Sequence, residues 1–315
     1  MSEVKKVATR VGYGAALLEL GKKRDDFIVM DADLAAATQT GMFKKEFPER
    51  FYDCGIAEQN MMGIAAGIAA TGKKVIVSSF AMFAAGRAFE QIRNSIAYPH
   101  LNVIIGATHA GISVGEDGSS HQCCEDIALM RSIPGMTIIN PADETEAKKA
   151  VFAAIEADGP VYMRFGRLAV PVIFDEDYKF EIGKGVELKE GNDVTIIATG
   201  LMVNEALEAY ELLKAEGINA RIINMATIKP LDSDIVLKAA KETGAIVTAE
   251  EHSVIGGLGS AVSELLSENY PVPVVKLGVN DTFGHSGPAP KLLDEFGLRA
   301  ANIVEKTKIA ISLKK

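Results

Sequence analysis

The sequence predicts an α/β protein made of two domains. Short runs of apolar, often β-branched residues alternate with amphipathic stretches of helix length along the whole chain. Runs that are apolar at every position are typical of parallel strands, so each sheet should be mostly parallel and covered by helices on both faces. The alternation breaks once, at about residues 171–193, where charged residues are frequent. We therefore predict a first domain at residues 1–172, a linker at 173–190 and a smaller second domain at 191–315.

The first domain is predicted to contain five strands separated by helices. Its last helix has its own start signal, because Asp143 can cap the first turn and Glu146, three residues on, completes a capping box. The predicted strands are residues 27–30, 74–77, 102–105, 136–139 and 161–163. The predicted helices span about residues 7–22, begin near Glu58, run through Phe89, Ile92 and Ile96, and follow Asp143.

The second domain repeats the alternation, with predicted strands at residues 194–198, 220–224, 245–249 and 272–275 and a helix at about 203–216. Glycines at 256, 257 and 259 open a further helix, whose N-terminus could bind an anion. We predict no catalytic role for the preceding residues, Glu250, Glu251 and His252.

Composition excludes several classes of function. The net charge of -9 and the pI of about 5.2 argue against nucleic acid and anionic membranes as partners. The three cysteines, Cys54, Cys123 and Cys124, form no C-x-x-C pair, so neither a disulfide framework nor a metal site is predicted. No signal peptide or membrane span is predicted, and we expect a cytoplasmic protein.

Three stretches carry residues suited to chemistry. Glu58 opens a helix in Gly-Ile-Ala-Glu-Gln-Asn, where a glutamate is most often only a favourable dipole partner. Phe80 and Phe83 directly follow a strand, where α/β sheets place ligands, although such spacing is more often core. A long loop from residue 108 to 122 holds three glycines, two histidines and a Glu-Asp pair, and imidazoles and carboxylates there suit binding and proton transfer to hydroxyl groups.

A fourth stretch carries two arginines. Arg164 and Arg167 end an apolar strand, and a guanidinium there could bind a phosphate or form a salt bridge.

Together these stretches resemble the transketolase family over nearly the whole chain. The matching segments, in the family's order and spacing, are residues 55–59, 79–83, 115–118 with His121, and 141–143. Gly-Ile-Ala-Glu-Gln is shared with deoxyxylulose phosphate synthases and with β subunits of 2-oxoacid dehydrogenases, whereas the loop from His109 to His121 is closer to transketolase. The resemblance implies a thiamine diphosphate-binding pyrimidine domain followed by a transketolase C-terminal domain.

The resemblance also implies roles for individual residues. Glu58 corresponds to the glutamate that hydrogen-bonds the aminopyrimidine ring and activates the cofactor, and it should be buried. Other implied cofactor contacts are Ile56 under the cofactor, Phe80 and Phe83 around the ring, and Asp33 at the subunit contact. For the substrate, Asp117 and His121 correspond to groups that bind the donor's hydroxyls, with His121 also counted as catalytic, and His109, Arg167 and Arg10 to the cluster that holds the phosphate.

Two departures from the family pattern matter. Many members place a phosphate-binding serine where this chain has Thr38, which could take that role. The Gly-Asp-Gly and asparagine motif that binds Mg²⁺ and diphosphate is missing. The Mg²⁺ ligands are therefore expected on an N-terminal transketolase subunit, and two copies of each chain, self-associating through a dimer interface, would form a heterotetramer.

The function implied is transfer of a two-carbon ketol unit from a ketose phosphate to an aldose phosphate, as in the pentose phosphate pathway. Two alternatives stay open. One is another thiamine enzyme: a deoxyxylulose phosphate synthase-like subunit, a 2-oxoacid dehydrogenase β-like subunit, or a specialised pentose transketolase that uses a branched or unusual sugar. The other is a noncatalytic regulatory subunit, against which the retained Glu58 speaks.

Overall fold

The computed structural model describes residues 5–314 and confirms the predicted α/β fold. Residues 1–4 and residue 315 lie outside the described residues. The first four belong to the segment in which no signal peptide was predicted. The strands are β1 (Lys6–Ala8), β2 (Phe27–Asp31), β3 (Phe51–Asp53), β4 (Lys74–Phe80), β5 (Val103–Thr108), β6 (Thr137–Ile139), β7 (Val161–Arg164), β8 (Ala169–Pro171), β9 (Val186–Lys189), β10 (Val194–Ala198), β11 (Ala220–Asn224), β12 (Thr227–Lys229), β13 (Ile246–Ser253) and β14 (Val274–Val279).

The α-helices are α1 (Thr9–Lys23), α2 (Ala35–Thr38), α3 (Gly41–Glu46), α4 (Glu58–Ala69), α5 (Phe89–Gln91), α6 (Asp126–Arg131), α7 (Glu144–Ala154), α8 (Met202–Ala215), α9 (Ser233–Thr243), α10 (Leu258–Asn269), α11 (Ala289–Glu295) and α12 (Ala300–Ser312). Two π-helical segments, Met82–Arg87 and Ile92–Ala97, flank α5. Single 3₁₀ turns lie at Pro48–Arg50 and Ile112–Val114.

The first sheet has seven strands in the order β12-β6-β7-β5-β4-β2-β3. Its neighbours pair in parallel, apart from the antiparallel contact of β12 with β6. Because parallel strands end at a common edge, the chain leaving β4, β5 and β7 emerges there side by side. Strand β12 comes from the second half of the chain, so the two halves are joined through one sheet.

The second sheet has five strands in the order β14-β13-β10-β11-β9 and is parallel except at the edge strand β9. Strand β9 lies inside the stretch predicted as a linker. Its four residues are all half-buried, and the charged Glu187 and Lys189 alternate with two apolar residues, so no apolar run marked it in the sequence.

Side-chain alternation along the strands builds a core on each face of each sheet. In β4, Val75 and Val77 pack in the cluster that contains Met61 of α4, whereas Ile76 packs with Leu17 of α1. Both faces of the strand are therefore buried, which explains its continuous apolar run. Two further clusters cover the second sheet in the same way.

The capping box predicted for α7 consists of two hydrogen bonds, of which one is confirmed and the other is wrong. Asp143 Oδ1 accepts the Glu146 N–H at 2.8 Å, as predicted. Glu146, however, accepts from the N–H of Ala142 at 2.7 Å rather than from that of Asp143. Its other oxygen accepts from the Tyr178 hydroxyl and from Asn224 Nδ2, both at 2.7 Å, and burial raises the pKa of Glu146 to about 7. Glu146 therefore links the helix to β11, through Asn224, and to the predicted linker, through Tyr178.

The anion site expected at the glycine-rich start of α10 is also wrong, because the chain fills it with its own carboxylate. Glu250 accepts from the N–H of Leu258 at 2.7 Å and from that of Gly259 at 2.8 Å. The helix dipole and free N–H groups that favour an anion at this position are thus already satisfied.

Within residues 5–314, no helix is both long enough and apolar enough to cross a membrane.

Asp143 should contribute more to stability than an ordinary helix cap, because its second oxygen also accepts from the N–H groups of Ile173 and Phe174 at 2.7 and 2.8 Å. We expect Asp143→Ala to lower the free energy of unfolding by about 2–4 kcal/mol, the sum of a lost cap and of unsatisfied buried donors. Denaturant unfolding of the purified chain measures this. Glu144→Ala is the matched control in the same first turn: its partner is the exposed Lys5, so the loss should stay below about 1 kcal/mol. Equal losses in the two variants would contradict the assignment.

Candidate active site

Five of the residues singled out from the sequence meet at one edge of the first sheet. Strands β4 and β5 are parallel neighbours in a register that pairs Phe80 with Thr108, so His109 follows directly beside Phe80. The π-helical segment that leaves β4 carries Phe83, and the loop that leaves β5 carries His121. Glu58, the first residue of α4, reaches the end of β4. A carboxylate, two phenyl rings and two imidazoles are thereby brought together.

Glu58 is only 1% exposed, as expected. Its Oε1 accepts a hydrogen bond from the Ser79 hydroxyl at 3.0 Å, and its Oε2 accepts one from Arg87 Nη1 at 2.8 Å. A buried carboxylate without such partners would carry a large desolvation cost. The two donors therefore stabilise the carboxylate and fix its orientation.

Aromatic side chains lie next to the two residues that bind this carboxylate, since Phe80 follows Ser79 and Phe83 lies under Arg87. The rings of Phe80 and Phe83 are nearly parallel, with centroids 6.1 Å apart, and the imidazole of His109 stacks on Phe80 at 3.9 Å. The ring of His121 meets Phe83 edge-on at 5.1 Å. The predicted aromatic pair therefore does form one wall, with one imidazole stacked on Phe80 and the other edge-on to both phenyl rings.

Arg87 and Ser79 have contacts that were not predicted from the sequence. The Arg87 guanidinium lies 4.5 Å above the Phe83 ring while it binds Glu58, so one side chain connects the carboxylate and the aromatic wall. This contact arises from a π-helical turn, a rare conformation that is frequent at functional sites. The available signal was position: both residues flank the two phenylalanines at the carboxyl end of a strand.

A second group of residues is basic. Burial is the main reason why the pKa of His109 is lowered to about 3, and the nearby guanidinium groups of Arg10 and Arg167 lower it further. The imidazole is therefore neutral at physiological pH. Arg10 donates to the carbonyl of Ala37 at 2.6 Å, and Arg167 pairs with Glu116 at 3.0 Å. The predicted basic cluster is therefore assembled, with part of its charge already compensated.

Three predicted site residues lie on the surface. Ile56 is 77% exposed. Asp117 is exposed at the tip of the loop that leaves β5, and Asp33 is exposed with a left-handed backbone (φ 63°), its N–H donating to Asp53 Oδ1 at 3.0 Å. These side chains are free to contact another molecule, and none of them touches Glu58 within this chain's hydrogen-bond network.

Two residues considered for phosphate binding have structural roles instead. Thr38 is buried and donates its hydroxyl to Asp31 Oδ2 at 2.7 Å, so the expectation that it replaces the family's serine is wrong. Arg164 is buried and binds Asp126 Oδ2 at 2.9 Å, which also accepts from the Tyr162 hydroxyl at 2.8 Å. This buried pair joins β7 to α6 and leaves Arg167 as the accessible arginine of the two.

An open cavity of about 660 Å³ adjoins the aromatic wall. It is bounded on one side by Met82, Phe83 and Arg87 and on the other by the loop after β14, where Phe283 is 89% exposed. Among residues 5–314 no three His, Cys, Asp or Glu side chains converge in a way that could hold a metal ion.

Comparison with known proteins assigns both halves of the chain. Residues 5–172 match the transketolase pyrimidine-binding domain, and residues 183–303 match the transketolase C-terminal domain. A Methanocaldococcus jannaschii protein, named provisionally as a transketolase C-terminal section, is 54% identical over 94% of this chain and 94% of its own length. A 6-deoxy-6-sulfo-D-fructose transketolase subunit from Clostridium sp. is 46% identical over 93% of this chain and 91% of its own length.

A solved structure, described as a split-gene transketolase in an inactive β4 tetramer, is 55% identical and superimposes with a TM-score of 0.92 over 98% of this chain and 100% of its own. The predicted resemblance is thereby confirmed: the chain belongs to the transketolase family and corresponds to its pyrimidine-binding and C-terminal domains.

Proposed function

We propose that this chain is the pyrimidine-binding subunit of a split, thiamine diphosphate-dependent transketolase, which transfers a two-carbon ketol unit from a ketose phosphate to an aldose phosphate. The observation that carries the proposal is the buried Glu58 carboxylate, held by Ser79 and Arg87 beside the paired rings of Phe80 and Phe83. This donor set fits an aminopyrimidine ring, which needs a carboxylate for a ring nitrogen and apolar walls for its faces. Ile56 and Asp33, both exposed, are proposed to complete the contact.

Thiamine diphosphate, on which the family depends, supplies a carbon nucleophile and an electron sink when bound. The residues of this chain bind, orient and exchange protons. Glu58 is proposed to share a proton with the pyrimidine ring nitrogen, because its carboxylate is buried and held in one orientation. His121 and Asp117 are proposed to bind the donor's hydroxyl groups, and the accessible imidazole of His121 can also take up or release a proton there.

The basic cluster is proposed to hold the anionic end of the substrate. Arg10 and Arg167 supply charge-assisted donors, and the neutral His109 supplies one N–H. A relative that is 46% identical is named for a sulfonated ketose, 6-deoxy-6-sulfo-D-fructose. The donors to test are therefore ketose phosphates first, with this sulfonated ketose as the comparison.

The diphosphate half of the site is proposed to lie on an N-terminal transketolase subunit. A diphosphate needs a metal or several arranged donors, and among residues 5–314 no acidic or histidine cluster could hold that metal. The 55% identical split-gene transketolase is described as inactive in the form of a β4 tetramer, which supports a requirement for a second kind of chain. We propose a heterotetramer with two copies of each chain, in which Mg²⁺ is bound by the partner.

Glu58→Gln should reduce ketol transfer by the complex by roughly 10²–10⁴-fold, because an amide cannot exchange the proton that a carboxylate can. The change keeps the shape of the side chain, so the melting temperature and the assembly with the partner should change little. Steady-state rates with fructose 6-phosphate as donor measure the effect. Glu90→Gln, on the exposed side of α5, is the matched control and should keep the wild-type rate. A Glu58→Gln complex with the wild-type rate would favour a noncatalytic subunit.

Thiamine diphosphate with Mg²⁺ should bind tightly only when the partner is present. The chain alone contributes ring contacts without the diphosphate ligands, so we expect its affinity to be at least about 100-fold weaker, the loss from about 3 kcal/mol of missing contacts. Calorimetric titration of the chain, of the partner and of their complex measures this. Tight binding and ketol transfer by the chain alone would contradict the split site.

A further inference from the structure

Strand β13 carries two adjacent glutamates whose carboxyl groups serve different halves of the molecule. Glu250 caps α10, within the second domain. Glu251 extends in the other direction and its Oε1 accepts the backbone N–H of Ser113 at 2.6 Å. Ser113 lies in the β5–α6 loop (residues 109–125), which carries His109, Asp117 and His121. One strand residue of the second domain thus contacts the loop that holds three of the proposed site residues.

The contact between Glu251 and the loop is close and buried. Glu251 is 3% exposed, and the loop passes it at Gly111, where a Cβ would lie 2.4 Å from the carboxyl carbon. Gly111 also has a φ of 83°, which a glycine adopts without strain. A glycine at position 111 therefore leaves the room that the Glu251 carboxyl group occupies.

The second domain holds the same loop at two further points. Gln122 Nε2 donates to the carbonyl of His285 at 3.0 Å, and the N–H of Ser253 donates to the carbonyl of Cys124 at 2.7 Å. Between the anchors at Ser113 and Gln122, Asp117 lies exposed. The next residue, Gly118, packs against the second domain, where a Cβ would lie 2.4 Å from Ser286 Oγ. The Ser113 anchor is therefore one of several contacts that fix this segment.

We propose that Glu251 is a positioning residue that, by accepting the Ser113 N–H, fixes the backbone from which Asp117 and His121 are presented to the donor sugar. The proposal rests on the proposed function for the roles of Asp117 and His121. Glu251 itself lies beneath the loop and acts through its backbone. A hydrogen bond of this kind needs an oxygen at the right reach and does not need a charge.

Two variants test separately whether the length of the Glu251 side chain or its charge is what matters. Glu251→Asp keeps the charge but shortens the side chain by one methylene, so the oxygen no longer reaches Ser113. Glu251→Gln loses the charge but keeps an oxygen at the same reach. In the complex of full chains, we expect Glu251→Asp to raise the KM for fructose 6-phosphate about 5- to 30-fold, as for the loss of one buried hydrogen bond, and Glu251→Gln to stay within about 2-fold of wild type.

Three measurements accompany the donor KM. The dissociation constant for thiamine diphosphate should not change in either variant, because Glu58 and the phenyl wall are untouched. Hydrogen exchange at the Ser113 amide should accelerate in Glu251→Asp and stay slow in Glu251→Gln. Glu250→Asp is the matched control: it should lower the melting temperature by releasing the cap of α10, with no change in donor KM.

The proposal is overturned if the donor KM of Glu251→Asp equals that of wild type, if Glu251→Gln shows the same increase, or if the cofactor constant weakens in parallel with the KM. Failure of the proposed function is a separate result, seen as no ketol transfer by the wild-type complex. Hydrogen exchange would still decide the positioning role in that case, because unchanged exchange at Ser113 in Glu251→Asp overturns it without any substrate.

Discussion

The register between β4 and β5 determines where the candidate site lies. Pairing Phe80 with Thr108 places the ends of two buried strands next to each other, so the aromatic wall and the histidine-bearing loop start from adjacent points. A shift by one residue would turn Phe80 to the opposite face, and the stack with His109 would be lost. The apolar cores on both faces of the sheet oppose such a shift, because Val75 and Val77 on one side and Ile76 on the other are all buried.

Nine of the fourteen strands in the described residues, and the broad site, could be predicted because they depend on local pattern; the short strands β1, β3, β8, β9 and β12 were not predicted. Apolar runs marked both sheets, and the family motif placed Glu58, Phe80 and Phe83 at one edge. The pairing of Arg87 with Glu58 could not be predicted, because it depends on a turn with π geometry that no residue pattern specifies. Thr38 and the start of α10 were misjudged for a related reason: each is occupied by a partner inside the chain, Asp31 for the hydroxyl and Glu250 for the helix start.

The second domain contributes to the site through buried polar contacts as well as through the loop after β14 that bounds the cavity. Arg164 donates to the carbonyls of Cys123 and Glu251 at 3.2 and 2.9 Å while it pairs with Asp126, and so joins the two domains directly beneath the β5–α6 loop. Such buried pairs add little net stability but strongly disfavour any arrangement in which one partner is missing. The two domains are therefore held in one relative placement under the site.

The π-helical turn at Met82–Arg87 makes this part of the chain sensitive to length as well as to residue type. A π turn accommodates one residue more than an α turn, so deletion of a single codon from this segment would restore α geometry without breaking the helix. Because the extra residue is absorbed within the turn, side chains beyond the segment would keep their places around the helix axis, whereas those inside it would each move by one position. Arg87 lies inside the segment, so it would lose its contacts with both Glu58 and the Phe83 ring. In a library of one-residue deletions across β4 to α5, deletions in the surface turns should consequently be tolerated more readily than a deletion within Met82–Arg87.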